Sequence, residues 1–197
     1  MEREDILFYI MIFFIIGIIL KLYFDSEAFH LKCIISDVNG KTYCVRERAK
    51  LELAADLLAR AGENMQKLVD HMHKTYPDRD NVKRLKNKFN ADKISEILPT
   101  SKHTAYSENK GEKLRFCVTT ERESDTLIDE NTLTFVAIHE LSHIASKTIG
   151  HNNEFWDNFT FLLKNAVQIG IYVPEDYKKK PKEYCGMKIT DNPYYNK

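Results

Sequence analysis

The chain carries the segment "ILFYIMIFFIIGIILKLYF" from Ile6 to Phe24, with Lys21 as its only charge. A run of about 20 apolar residues matches the thickness of a bilayer core, and a lysine near its end can extend its ammonium to the headgroups. No polar face interrupts the run, which disfavours a helix half-buried in a soluble core. A secretory signal is the rival, but the apolar stretch exceeds the usual length of a signal core. No small-residue cleavage site succeeds it, and the preceding "MERED" is largely acidic. The expectation is a single-pass membrane anchor over residues 1–28. Lys21, Lys32, Lys41, Arg46 and Arg48 come after the apolar centre whereas Arg3 alone precedes it, and this bias predicts a cytoplasmic C-terminal domain.

The remainder of the chain, beyond the anchor, is long enough for one domain with its own core. Lysine plus arginine and aspartate plus glutamate number 29 each in the 197 residues, so no net field draws the protein to nucleic acid. A local basic stretch, Arg79, Lys83, Arg84, Lys86 and Lys88, leaves nucleic acid as a weakly supported partner; such runs are more often a solvated helix face. The cysteines Cys33, Cys44, Cys117 and Cys185 form no CxxC pair, and free thiols suit a cytoplasmic domain. Cys33 and Cys44 nevertheless flank an Asn39-Gly40 turn that would set them opposite each other in a hairpin over 29–46, able to bridge in an oxidising lumen.

The hydrophobic pattern supplies the remaining elements. Leu51, Ala54, Leu58, Ala61, Met65, Leu68 and Met72 recur at three and four, predicting a long amphipathic helix from about Glu47 to Thr75. His71 and His73, two apart on that helix, face different ways and make a poor metal pair. A shorter helix over "DRDNVKRLKNKF", a short apolar turn from Ile94 to Leu98, and a strand "KLRFCVTT" come next. Asp129 stands where an N-cap belongs, before a helix expected to run to Gly150. A second helix, "NEFWDNFTFLLKNAVQIG", ends at Gly170. Phe155 and Trp156 read as packing between these helices. Residues 171–197, with three prolines and many charges, read as an extended strap. The domain proper is thus 47–170, of class α+β.

Chemistry concentrates in "HELSHIASKTIGHNNEFW", starting at His139. His139 and His143 are four apart, so on a helix both imidazoles leave the same face and can hold one ion. Glu140 places a carboxylate beside the open coordination position. This is the HExxH arrangement, in which zinc activates water and the glutamate takes its proton, with no serine or cysteine nucleophile. Gly150 can reverse the chain and return His151 as the third ligand; Glu154 and Asp157 are the carboxylate alternatives. The metzincin pattern fails, because Ser146 and Ile149 occupy its glycine and histidine positions.

The segments "NKGEKLRFCV", "LIDENTLTFVAIHELSHIA" and "GHNNEFW" together resemble the catalytic core of the WLM and SprT-like zinc metallopeptidases, over roughly residues 107–163. The resemblance implies a zincin-like α+β fold, a small sheet plus an HExxH helix, behind one N-terminal transmembrane helix. It implies one Zn2+ held by His139, His143 and His151, with Glu140 as general base. It also implies that Leu114, Arg115, Phe116 and Cys117 form an edge strand on which an extended protein or peptide substrate lies. The third histidine comes eight residues after the second, where WLM members usually have six, so the chain is a divergent relative. Its expected function is a membrane-anchored zinc endopeptidase. The alternative is a zinc-stabilised binding or structural domain, in which Glu140 would have no use. The strap could instead close the site, with Cys185 as a zinc thiolate.

Overall fold

The computed structural model describes residues 3–24, 31–98 and 101–196. Helix α1 spans Arg3–Phe24. Its mean hydropathy reaches 2.6 and none of that apolar stretch is buried against the domain, so it is long and apolar enough to cross a membrane.

The domain is mixed α and β. Strands β1 (Leu31–Ile35) and β2 (Thr42–Arg46) form the expected hairpin, with Cys33 opposite Cys44. Helix α2 (Leu51–Thr75) buries the stripe from Leu51 to Met72 that the three-four spacing marked out, beginning a few residues later than Glu47. The short helix α3 (Asp80–Lys88) buries Val82 and Leu85. Its basic face is partly used within the domain, since Arg84 donates to the Ala145 carbonyl and Lys86 pairs with Asp70.

Strands β3 (Ile94–Glu96), β4 (Ala105–Glu108) and β5 (Lys113–Phe116) complete a sheet of order β1-β2-β3-β5-β4. The β2–β3 and β3–β5 pairings are parallel, and β4–β5 is antiparallel. This overturns one expectation. Strand β5 is interior, because Ile94–Glu96, part of the stretch from Ile94 to Leu98 expected as an apolar turn, pairs along one side of it while β4 pairs along the other. Leu114, Arg115, Phe116 and Cys117 are all buried, so they present no edge to a substrate. On that side the last strand of the sheet, among the described residues, is the half-buried β4.

Helix α4 (Glu130–Ala145) starts as expected: the Asp129 carboxylate accepts from the Thr132 backbone N–H and hydroxyl. It stops at Ala145, five residues before Gly150. Ser146 is extended, its hydroxyl returns to the Ser142 carbonyl, and Asn158 donates to the same hydroxyl. Gly150 does take the left-handed conformation, φ 85°, but inside the loop after the helix. Helix α5 (Asn153–Gln168) packs on α4, capped by the Asn152 side chain.

The described residues of the C-terminal strap, 171–196, are built into the domain. The strap forms a small antiparallel hairpin of β6 (Lys182–Tyr184) and β7 (Met187–Ile189), then a 3-10 turn at Pro193–Tyr195. Tyr177 and Tyr184 are among the largest fully buried side chains, so it contributes to the core. All four cysteines are paired, Cys33 with Cys44 and Cys117 with Cys185, in place of the free thiols expected. The second pair fixes the tip of the β6–β7 hairpin to the chain just after β5. It leaves Cys185 no role as a zinc thiolate.

Candidate metal centre

His139 and His143 lie one turn apart on α4, and the loop from Ser146 to Asn152 brings His151 back over them. The three Nε2 atoms form a near-equilateral triangle with edges of 3.2, 3.1 and 3.1 Å. Three ring nitrogens cannot all hydrogen-bond to one another around such a triangle, since each nitrogen offers one proton or one lone pair. A tetrahedral ion with Zn–N distances of about 2.0–2.1 Å requires edges of about 3.3–3.4 Å. The residues therefore fit a bound metal after a shift of about a few tenths of an ångström. Among the described residues, these three histidines are the cluster able to hold an ion.

The alternative ligands are engaged elsewhere. Glu154 accepts from the backbone N–H groups of Lys147 and Thr148 at 3.0 and 3.2 Å, from the Thr148 hydroxyl at 2.9 Å, and from Arg84. It shapes the loop that carries His151. Asp157 lies with Arg79, Asn81 and Arg84 in a shallow depression lined by none of the three histidines. The Lys110 ammonium binds the carbonyls of Ser146, Lys147 and Thr148 in the same loop. A cation at these carbonyls also complements the negative end of α4.

Two aromatic residues support the rings. Phe155 is fully buried, with its ring centroid 4.8, 4.4 and 4.6 Å from those of His139, His143 and His151. Trp156, expected in the core, is instead 43% exposed; its indole N–H donates to the His151 carbonyl at 3.1 Å. The sequence signalled an aromatic pair but not this division of labour. His71 is remote from the centre and meets Asn165 at 3.2 Å, in keeping with its exclusion as a ligand.

Burial pushes His139 down to about 3, helped by His143 and His151, and pushes His143 down to about 4, helped by His151 and Lys110. Both imidazoles are thus neutral near pH 7, the form in which histidine binds metals. Burial alone raises Glu140 to about 8. A dication beside this carboxyl would pull that value back down.

The centre opens into a cavity of about 1000 Å³. Glu140 and the three histidines face it from one side. Ala105, Tyr106 and Ser107 of the β4 edge, and Met187, Lys188 and Ile189 of β7, bound it elsewhere. Tyr184 also lines it, and its hydroxyl donates to the Thr104 carbonyl at 3.0 Å, tying the hairpin to the start of the β4 edge. Arg122 binds the carbonyls of Ser101, Lys102 and His103 and so fixes the same rim. Neither Tyr184 nor Arg122 carries a local motif; only the chain's folding shows their place.

The chain is similar to three viral proteins. The uncharacterized protein R325 of Acanthamoeba polyphaga mimivirus is 29% identical over 171 residues, covering 85% of each chain. The uncharacterized protein 042R of Invertebrate iridescent virus 3 is 36% identical over 85 residues, 42% of this chain and 50% of that protein. The uncharacterized protein 136R of Invertebrate iridescent virus 6 is 29% identical over 93 residues, 47% of this chain and 51% of that one. No protein-family model and no solved structure matches the chain.

Proposed function

We propose that the protein is a membrane-anchored, zinc-dependent endopeptidase acting on extended segments of protein substrates, a divergent relative of the WLM and SprT-like metallopeptidases. The observation that carries this reading is the convergence of three imidazole nitrogens, with Glu140 on the same helix, at the wall of a cleft that β4, the last strand of the sheet among the described residues, also lines. A structural zinc site is usually closed by four protein ligands, whereas three histidines facing a cavity leave a position open.

The roles of the residues derive from their chemistry. His139, His143 and His151 would hold the ion through Nε2, and Phe155 and Trp156 would keep the rings in place. Zinc, when bound, supplies a Lewis acid that activates water and polarises a peptide carbonyl. Glu140, buried beside the first ligand, would accept the proton from the attacking water and deliver it to the departing amine. The β4 edge would bind the substrate backbone as an added strand, a role reassigned from β5. Tyr184 and Arg122 would hold the rim of that edge.

α1 serves in this reading as the single-pass anchor. The basic residues after it favour a cytoplasmic domain, whereas two cysteine pairs persist best in oxidising surroundings. Thiol labelling of protein taken from its native membrane separates the two.

The test uses the full chain in detergent, with zinc content and cleavage of unfolded casein measured on wild type, Glu140→Gln and His151→Ala. One zinc per chain, retained in Glu140→Gln with cleavage lost and weakened in His151→Ala, is the expected result. Stoichiometric zinc without cleavage would leave a zinc-stabilised structural domain, and absence of zinc would end the reading.

A further inference from the structure

The turn between β4 and β5 holds a residue that its backbone disfavours. Asn109, Lys110 and Gly111 all have positive φ, at 47°, 56° and 112°. Glycine is at ease there and asparagine tolerates it, but a lysine in the left-handed region crowds its own carbonyl with its Cβ. The turn is closed without the lysine side chain: the Glu108 carbonyl accepts from the Gly111 and Glu112 N–H groups, and the Asn109 amide donates to Glu112 at 2.7 Å. The Lys110 ammonium instead reaches 36 to 38 residues along the chain. It donates to the Ser146 carbonyl at 2.8 Å, to the Lys147 carbonyl, and to the Thr148 carbonyl at 3.3 Å. These oxygens lie just past the end of α4, and among the described residues no other hydrogen bond reaches them. Three carbonyl dipoles converging by their negative ends repel one another unless a cation stands between them. The N–H groups of Lys147 and Thr148 are taken by Glu154, so the segment joining the second and third histidines is held by a cation on its oxygens and an anion on its nitrogens. Lys110 also lines the cavity that the three histidines face, where a bound dication would repel it. An ammonium kept in such a place needs an offsetting gain, and the three carbonyls supply it.

We propose that Lys110 is a positioning residue for the metal centre, a built-in cation that gathers the Ser146, Lys147 and Thr148 carbonyls and so sets His151 within reach of an ion held by His139 and His143. The proposal rests on the metal centre of the peptidase reading and not on cleavage itself. It has one consequence for the cleft. Lys110 stands two residues past the end of β4, so the strand that lines the cleft and the loop that bears the third ligand are joined through one ammonium.

Chemical rescue provides the test, because n-propylammonium replaces the atoms that Lys110→Ala removes. Zinc affinity of the full-length protein in detergent is measured by competition with a chromophoric chelator, for wild type, Lys110→Ala, Lys110→Met and Lys110→Arg. The expected result is a loss of about tenfold or more in Lys110→Ala and Lys110→Met, with a smaller loss in Lys110→Arg. Lys110→Ala should recover toward wild type with n-propylammonium but not with tetramethylammonium at the same ionic strength. Amide exchange should quicken over residues 147–151 in Lys110→Met and stay unchanged along α2. Wild-type affinity in Lys110→Met overturns the proposal and leaves the metal centre standing. Equal losses in all three variants, with no recovery by n-propylammonium, overturn it too, since the ammonium would not be what places His151. So does a loss of zinc that comes with faster exchange along α2 and resists rescue, which would make Lys110 a support of the whole fold. A wild-type protein that takes up no zinc ends the proposal and the metal centre together.

Discussion

Glu154 is the side chain whose removal best separates a ligand from a residue that shapes a ligand loop. In Glu154→Ala the loop loses two backbone hydrogen bonds, from Lys147 and Thr148, and one from the Thr148 hydroxyl. The side chain is 33% exposed, so each bond to the carboxylate is worth about 0.5–1 kcal/mol after allowance for competing water. The three together contribute about 1.5–3 kcal/mol to holding His151 over His139 and His143. Lys110 still holds the carbonyls of the same loop, so it should loosen without unfolding. That ordering cost falls on metal binding, and since about 1.4 kcal/mol is tenfold, zinc affinity should drop about ten- to a hundredfold. Competition with a chromophoric chelator on the full-length protein in detergent measures it, with His151→Ala expected to lose more. A Glu154→Ala protein that fails to bind zinc while His151→Ala retains it would show the carboxylate to be the ligand. Unchanged affinity would refute the claim that Glu154 organises the loop.

Three further outcomes are expected. Gly111 has φ 112° and a side chain there would bring Cβ within 2.7 Å of the Lys88 carbonyl oxygen, so Gly111→Ala should cost about 2 kcal/mol or more and lower the melting temperature by several degrees; an unchanged melting curve would refute the close approach. Without reductant, a thiol-reactive polymer should label none of the four cysteines in protein from the native membrane, and labelling before reduction would place free thiols in a reducing compartment. Unpairing Cys117–Cys185, which spans 68 residues, should cost about 4 kcal/mol, against about 3 for Cys33–Cys44, which spans 11. A smaller loss for the longer loop, read by urea unfolding, would count against that account.

Elements with strong periodicity were legible in the sequence. The stripe on α2, the Asn39-Gly40 hairpin and the Asp129 cap depend on residues close together in the chain, and each stands where spacing put it. The three histidines also come together, because one helical turn and one loop suffice to join them. Strand order was not legible. β3 is three residues long, too short for alternation to declare itself, yet its pairing converts β5 from an edge into an interior strand. The early end of α4 was hidden for a related reason: Lys110, from a turn far back in the chain, binds the carbonyls of Ser146, Lys147 and Thr148 and so holds the chain beyond Ala145 as a loop. Cys185 and Trp156 were misjudged because their partners, Cys117 and the His151 carbonyl, are set by tertiary packing.

The sheet order also fixes a working distance. β1, joined to α1 through residues 25–30, lies at one margin of the sheet, and β4 lies at the other. Four strand spacings of about 4.8 Å separate these margins, about 19 Å in all, and six residues of chain can add at most about 20 Å. If α1 is set in a bilayer as proposed, these lengths keep the cleft within a few nanometres of that membrane, and a substrate would have to reach it there. On that proposal location would itself restrict which proteins reach the cleft, and inserting residues between α1 and β1 would relax the restriction without altering the cleft.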